Sequence, residues 1–237
     1  MRRCVERTYR EGPARGAEVV PERACAGWFK STADPAKLLA CFPGLRLKSG
    51  FVLRAYLYRD GSGNGNGFVW ATSRDLPFPE PEACPRVEGV FLSPPRPPGS
   101  LENFMEAVEG DGTPWSYLCA SILARELREF GALWHGCHWS THLVLGGSPW
   151  ENYRRCAQAF SEHPPSEPDN WCWLEPGPAR WEPRVSAGND AVTVTFYTYT
   201  ALGGERIVRY VDTFHRGSYA FNSDLAVVAT GSPGYIF

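Results

Sequence analysis

The feature that most constrains the fold of this chain is the regular alternation of apolar and polar side chains in its C-terminal third. Residues 191–200 read AVTVTFYTYT, residues 206–214 read RIVRYVDTF, and the sequence ALGGE between them is typical of a turn. A period of two places every second side chain on the same face of a β-strand. Together with the short runs SYAF, LAVVA and GYIF, the pattern predicts an antiparallel meander of roughly three to five strands.

The same alternation assigns the two faces of the first strand of the meander. The apolar side chains, which we expect to face a core, are Val192, Val194 and Phe196. The opposite face carries a hydroxyl on every side chain, and its members are Thr193, Thr195, Tyr197 and Tyr199. We expect this second face to be either solvated or a platform for binding.

A β-hairpin is predicted nearer the N-terminus. The runs FVLRAYLYR (51–59) and GFVWAT (67–72) are rich in β-branched and aromatic residues, and the linker DGSGNGNG consists of turn-forming residues. A phosphate-binding loop is the alternative for residues 61–67. However, the glycine spacing does not match the dinucleotide or P-loop patterns, and a strand rather than a helix follows. We therefore interpret this segment as a hairpin tip.

Three helices are predicted from their capping residues. Asp34 before Pro35 is typical of a helix start, and Pro43-Gly44 limits that helix to a short one. Ser100 is expected to open a helix over LENFMEAVEG. Thr113-Pro114 opens the strongest pattern, WSYLCASILARELREF, in which apolar residues recur at helical spacing up to Gly131.

The element pattern indicates an α+β fold, with an antiparallel sheet (C-terminal meander plus N-terminal hairpin) packed with about two or three helices. A chain of 237 residues can form one domain, so we predict a single α+β domain over residues 1–237. The proline-rich stretch 73–99, which includes one short predicted strand at VEGVFL, marks a possible subdivision. The parts would be a hairpin-containing half, 26–92, and a helix-plus-meander half, 100–237.

Composition and charge narrow the function classes. The formal net charge of −2 offers no basic excess for phosphate contacts, so bulk nucleic-acid binding is not expected. The sequence has neither an apolar run long enough to span a membrane nor an apolar signal region near its start, which predicts a cytoplasmic protein without membrane association. The eight cysteines include no CxxC pair, so reduced, buried thiols and no structural disulfide are expected.

The densest group of chemically active side chains is HGCHWSTH, residues 135–142. In an extended strand, His138 and His142 would lie on one face and roughly 13 Å apart, while His135 and Cys137 would lie on the other. A single zinc ion cannot bind all of them at such distances. His135 and Cys137 could share an ion only with further ligands from elsewhere, such as Cys156 or Cys172, so no metal and no other cofactor is expected. A turn at Gly136 would change this conclusion.

The same segment is also a candidate for cysteine nucleophile and histidine base chemistry. Cys137 would need its base from His135, His163 or His215, because neighbours in a strand point apart. Asp212 and Glu205 are further residues that could complete such a site. Cys119 lies several residues into the predicted helix among apolar neighbours, so an inert buried thiol is the expectation there.

Three tryptophans, Trp171, Trp173 and Trp181, lie in an irregular proline-rich stretch. Aromatic side chains in such a loop can be binding anchors, or they can fasten the loop to the core. The sequence leaves both interpretations open. It contains no motif specific enough to name a reaction, and no family resemblance adds one.

The sequence therefore favours a non-catalytic intracellular binding or protein-interaction module that uses aromatic, proline-rich loops on a sheet scaffold. Its partner would be another protein or a second copy of the chain. The alternative is a Cys/His-dependent hydrolase or transferase, whose weak catalytic candidates are Cys137, His135, His138, His142 and His215. The two classes differ in whether these histidines converge in space.

Overall fold

The computed structural model describes residues 26–155 and 164–236. The chain divides into two compact units: the first comprises Met1–Cys137 with Gly217–Ala220, and the second comprises His138–Arg216 with Phe221–Phe237. Helices and antiparallel sheets are both present, which confirms the predicted α+β class. The single-domain assignment and its subdivision at the proline-rich stretch stay predictions.

The first unit contains a three-stranded sheet and a two-stranded sheet. The larger sheet has the order β1 (Gly27–Lys30), β3 (Phe51–Arg59), β4 (Gly65–Ser73), and the smaller one pairs β2 (Leu45–Leu47) with β5 (Val108–Gly110). Strands β3 and β4 form the predicted hairpin, paired from Phe51 opposite Ser73 to Arg59 opposite Gly65. The Asp60 carboxylate closes its tip by accepting hydrogen bonds from the side chain and backbone of Asn64 and from the backbone of Ser62, which lowers the pKa of Asp60.

Helix α1 spans Pro114–Arg128 and confirms the strongest helix prediction. Thr113 caps it by accepting a hydrogen bond from Ser116 N at 3.3 Å, and Gly131 follows its C-terminal end with a φ of +74°. Short 3₁₀ helices in the same unit span Pro35–Cys41, Pro81–Ala83 and Phe104–Ala107. The first of these starts at the predicted Asp34 cap.

Two predicted elements of this unit are wrong. The helix expected from Ser100 is only the 3₁₀ turn Phe104–Ala107, because Asn103 caps Met105 N and the chain from Val108 pairs with β2 instead. The strand expected at VEGVFL is a sequence of turns whose bends use Leu92 and Ser93 at φ values of 64° and 43°. Two successive residues in the left-handed region depart from the extended backbone of a β-strand.

The proline-rich stretch packs on one face of the larger sheet of the first unit. That face is aromatic, and its buried centre consists of Tyr56 and Trp70 with Cys84 of the proline-rich stretch. The Tyr56 hydroxyl donates to Pro79 O at 2.7 Å, and Trp28 Nε1 donates to Leu92 O at 3.2 Å. These donors on the strands fasten a segment that has few N–H groups of its own.

The second unit is built on a six-stranded antiparallel sheet. Its strands are β6 (Leu143–Val144), β7 (Cys172–Trp173), β8 (Arg184–Ala187), β9 (Ala191–Thr200), β10 (Arg206–His215) and β11 (Phe221–Thr230). The order is β6-β9-β10-β11-β7, with β8 also pairing with β9. Helix α2 spans Pro149–Arg155. Strands β9, β10 and β11 form the meander predicted from the alternation.

Both faces of β9 are covered along part of its length. Val192, Val194 and Phe196 are buried, as expected. On the opposite face Thr193 and Thr195 are half-buried, but Tyr197 and Tyr199 belong to a buried cluster with Leu145, Trp171, Ile207 and Val228. The expectation of a solvated or platform face therefore fails at this end of the strand, because a loop with its own tryptophan covers it.

The cysteines differ from the sequence-based expectation at one position. Cys41 forms a disulfide bond whose partner lies outside the described residues. The expected set of reduced thiols is wrong for this residue, and disulfides are more usual in oxidising compartments. Cys84, Cys119, Cys137 and Cys172 form no disulfide.

Among the described residues, no helix is long and apolar enough to cross a membrane.

Candidate functional site

The histidine-rich segment 135–142 is not an extended strand. It forms two 3₁₀ turns, Trp134–Gly136 and Trp139–Thr141, before the short strand β6. Gly136 lies so close to the hairpin that an added Cβ would be 2.1 Å from Gly65 O. The prediction that His135 and Cys137 lie on one face of an extended strand, and His138 and His142 on the other, is therefore wrong. The backbone turns at Gly136 instead of continuing as a strand.

The two turns belong to different units. His135 is exposed and Cys137 is half-buried in the first unit, whereas His138 is exposed and His142 is half-buried in the second. His142 Nδ1 is 2.7 Å from Thr198 Oγ1, and its ring stacks on Trp139 with 5.7 Å between centroids. Trp139 packs edge-on against Phe196 and Tyr210. Within the second unit, His142 thus helps to hold Trp139 on the sheet.

The remaining candidates for catalysis are dispersed. His215 is exposed at the end of β10, and His163 lies outside the described residues. Asp212 is fully buried and accepts a hydrogen bond from Ser223 Oγ at 2.6 Å. Burial raises the pKa of the Cys119 thiol to about 11, so this thiol stays protonated and unreactive near neutral pH. In the described part of the chain, no group of three or more His, Cys, Asp or Glu side chains is arranged to hold a metal ion.

Glu205 forms a buried hydrogen-bond centre in the second unit. Its carboxylate is 4 % exposed and accepts hydrogen bonds from Tyr199 OH, Ser232 N, and both the backbone and the hydroxyl of Ser166. Burial, the hydrogen bond to Glu205 and its charge raise the pKa of Tyr199. The carboxylate is therefore well satisfied, and its arrangement fastens three chain segments rather than offering a base to a substrate.

Trp171 contributes to the same structural centre. Its ring is 7 % exposed, and its Nε1 donates to Ser166 O at 3.2 Å, as Trp150 Nε1 does at 2.7 Å. Trp150 and Trp171 meet edge-to-face, with centroids 5.8 Å apart. The structure places Trp171 inside the fold, so we assign it to fastening the loop.

Trp173 and Trp181 have a different environment. Trp173 is 39 % exposed and the adjacent Leu174 is 59 % exposed. The Trp173 ring lies 6.3 Å from that of Trp181, which in turn contacts Tyr197 at 5.7 Å. We call Trp173, Leu174 and Trp181 the tryptophan surface. Leu174 was missed at the sequence level because one leucine in an irregular segment gives no periodic signal.

The backbone beside the tryptophan surface is an incompletely paired sheet edge. Strand β7 pairs with β11 only at Ala229 and Thr230, and Leu174 N extends the contact to Val228 O at 2.9 Å. Further along β11, residues 224–227 pair with β10 on one side, and no described strand pairs with their other side. Leu225 in this stretch is 60 % exposed. The sequence could not reveal this edge, because strand order is not a local property.

Comparison with known proteins finds no family model that matches the chain, and no significant match among curated proteins or solved structures.

Proposed function

We propose that the chain is a non-catalytic binding module whose tryptophan surface binds an extended segment of a protein partner. The observation that carries the proposal is the contrast between adjacent aromatic residues. Trp171 is buried and hydrogen-bonded, while Trp173 and Leu174, two and three residues later, are exposed. The loop thus has its own anchor, and the exposed pair is not required for that purpose.

Exposed tryptophan and leucine side chains are suited to binding. A tryptophan supplies a large contact area with few rotatable bonds, which is why this residue is frequent at binding hot spots. Trp173 is partly fixed by contact with Trp181 and by Gly177, where an added Cβ would lie 3.4 Å from the Trp173 ring. Pro176 and Pro178 further restrict the loop. A surface fixed before binding loses less conformational entropy when a partner docks.

The neighbouring edge of β11 supports an extended segment as the partner's bound form. An open strand edge presents backbone N–H and C=O groups that can pair with an added strand. Residues 224–227 provide such an edge among the described strands. A segment paired there would alternate its side chains between the two faces of the sheet. The source of the segment is either another protein or a second copy of this chain.

Two variants test the surface. Trp173→Ala and Leu174→Ala remove exposed area and should leave the melting temperature within a few degrees of the wild type. The matched control is Phe91→Ala, which removes an apolar side chain that is 76 % exposed in the first unit. Sedimentation velocity then measures self-association, and chemical cross-linking followed by mass spectrometry identifies residues joined to a partner.

We expect the complex that the wild type forms, with itself or with another protein, to weaken at least tenfold in Trp173→Ala. The same complex should be unchanged in Phe91→Ala. Cross-links from wild-type protein should fall on residues near Trp173 or along β11. An association that survives both tryptophan-surface variants, or cross-links that avoid this part of the second unit, would contradict the proposal.

A further inference from the structure

A pocket in the first unit opens beside the aromatic face of the larger sheet. Its volume is about 700 Å³, which is within the range of small-molecule sites. The apolar lining includes Phe68 and Trp70 from β4, Phe104, and Val87 and Val90 from the proline-rich stretch. These side chains offer apolar contact to an aromatic or aliphatic ligand body.

An arginine is held in place at this pocket. Arg96 Nε donates to Ser100 Oγ at 3.2 Å, its Nη2 donates to Ser100 O at 3.1 Å, and its guanidinium lies 5.7 Å from the centroid of the Trp70 ring. Among the described residues, the remaining nitrogen, Nη1, has only a 3.6 Å ion pair with Glu102, whose side chain is 87 % exposed. That distance exceeds a good hydrogen bond, and exposed pairs of this kind contribute little. The guanidinium is therefore positioned but retains donor capacity.

The charge of Arg96 favours an anion. Glu102 is the single acidic residue among the lining residues of the pocket, and its side chain is 87 % exposed. A planar carboxylate matches the donor geometry of a guanidinium.

The indole nitrogen of one lining residue is also without a partner. The Trp70 side chain is 7 % exposed, and its Nε1 has no hydrogen-bond partner among the described residues. Unsatisfied buried donors are uncommon in native proteins.

We propose that this pocket binds a small monocarboxylic acid with an aromatic or aliphatic body. The carboxylate approaches Arg96 Nη1 and replaces Glu102 as its partner, and the body lies against Phe68, Trp70 and Phe104. This site is independent of the tryptophan surface, because all its lining residues belong to the first unit.

The test uses matched probes on the full chain. Isothermal titration calorimetry and saturation-transfer NMR measure binding of 3-phenylpropionate, hexanoate and the neutral 3-phenylpropionamide. The variants are Arg96→Gln, which removes the positioned charge, and Glu102→Gln, which removes its competitor. Arg86→Gln serves as the control, since Arg86 is an exposed arginine of the same stretch that does not line the pocket.

We expect at least one acid to bind the wild type and the amide to bind at least tenfold more weakly. Arg96→Gln should weaken the acid at least tenfold, Glu102→Gln should strengthen it, and Arg86→Gln should leave it unchanged. Because Glu102 is exposed, its variant tests the site even if Arg96→Gln unfolds. Binding of neither acid at millimolar concentration, equal binding of acid and amide, or a weaker acid complex in Glu102→Gln would each overturn the proposal. None of these results depends on Trp173, so failure here is distinguishable from failure of the proposed function.

Discussion

Two proline-rich stretches of this chain have similar composition, but one packs on its own sheet and the other leaves large apolar side chains exposed. Residues 73–99 in the first unit and 164–183 in the second both combine prolines with large apolar side chains. The first stretch covers the aromatic face of its own sheet. The second buries Trp171 but leaves Trp173 and Leu174 exposed. Proline content alone therefore does not decide whether such a segment is packed or displayed.

The difference follows from where hydrogen-bond donors are available. A proline has a carbonyl but no N–H, so a proline-rich segment is fastened mainly by donors from elsewhere. In the first unit, three side chains from the sheet donate to carbonyls of the stretch: Tyr56 to Pro79 O, Trp28 to Leu92 O, and Arg54 Nη2 to Leu76 O at 2.7 Å. In the second, the side-chain donors Trp150 and Trp171 meet on Ser166 O, near the start of the stretch. The described part beyond them is held by the short strand β7 and by Leu174 and Glu175 N.

The largest expected loss of stability comes from removing a fully buried side chain of the second unit. Phe196 is fully buried and stacks on Tyr210 with 5.0 Å between centroids. Phe196→Ala should lower the free energy of unfolding by about 3–5 kcal/mol, measured by urea denaturation. Thr195→Ala, on the other face and half-buried, should cost less than about 1 kcal/mol. Reversed effects would mean that the register of β9 is shifted by one residue.

The boundary between packed and displayed residues in the second stretch can be tested directly. Trp171→Ala removes a buried ring and its hydrogen bond to Ser166 O, and should cost roughly 3 kcal/mol. Trp173→Ala should cost clearly less, about 1 kcal/mol, because 39 % of this residue is already exposed to water and its ring makes no hydrogen bond to Ser166 O. Equal losses in the two variants would remove the distinction on which the tryptophan surface is based.

Cysteine labelling compares the two stretches in the wild-type chain. Cys172 is exposed between the two tryptophans, whereas Cys84 is 7 % exposed and its Sγ is 3.2 Å from Tyr56 OH. Under native conditions an alkylating reagent should modify Cys172 at least about a hundredfold faster than Cys84, since Cys84 requires local opening. Peptide mass spectrometry measures both rates. Comparable rates would show that the first stretch opens readily.

The smallest expected loss of stability comes from removing the hydrogen bond between Tyr56 and Pro79 O. Tyr56→Phe keeps the buried ring but removes the donor to Pro79 O, and should cost about 1 kcal/mol. Hydrogen exchange should rise in residues 80–84, whose amides include Ala83 N and Cys84 N in the adjoining 3₁₀ turn. Tyr58→Phe, a half-buried tyrosine of the same strand, is the control. Unchanged exchange in Tyr56→Phe would mean that other contacts fasten the stretch.

Part of this architecture was predictable because its causes are local. Alternation over residues 191–214 determined the meander and the burial of Val192, Val194 and Phe196. Thr113-Pro114 with the apolar spacing that follows determined α1, and the turn residues between the two β-prone runs determined the hairpin. Capping, periodicity and turn chemistry each depend on residues that are neighbours in sequence.

The predictions for the segment after Ser100 and for the histidine-rich segment were wrong because contacts between residues distant in sequence override the local preference there. The segment after Ser100 becomes a 3₁₀ turn and a strand because β2 offers a pairing partner. The histidine-rich segment turns at Gly136 because the hairpin backbone lies against it, which only a glycine permits.

The sequence by itself determined the fold class, the meander, the hairpin and the main helix, because hydrophobic periodicity and capping depend on residues that are close in sequence. Only the tertiary structure decided which tryptophan is an anchor and which is exposed, that residues 224–227 form an edge, and that Arg96 faces an aromatic pocket. Those properties depend on the order of the strands and on hydrogen bonds between distant parts of the fold. The residues involved are far apart in sequence, so no local sequence pattern predicts them.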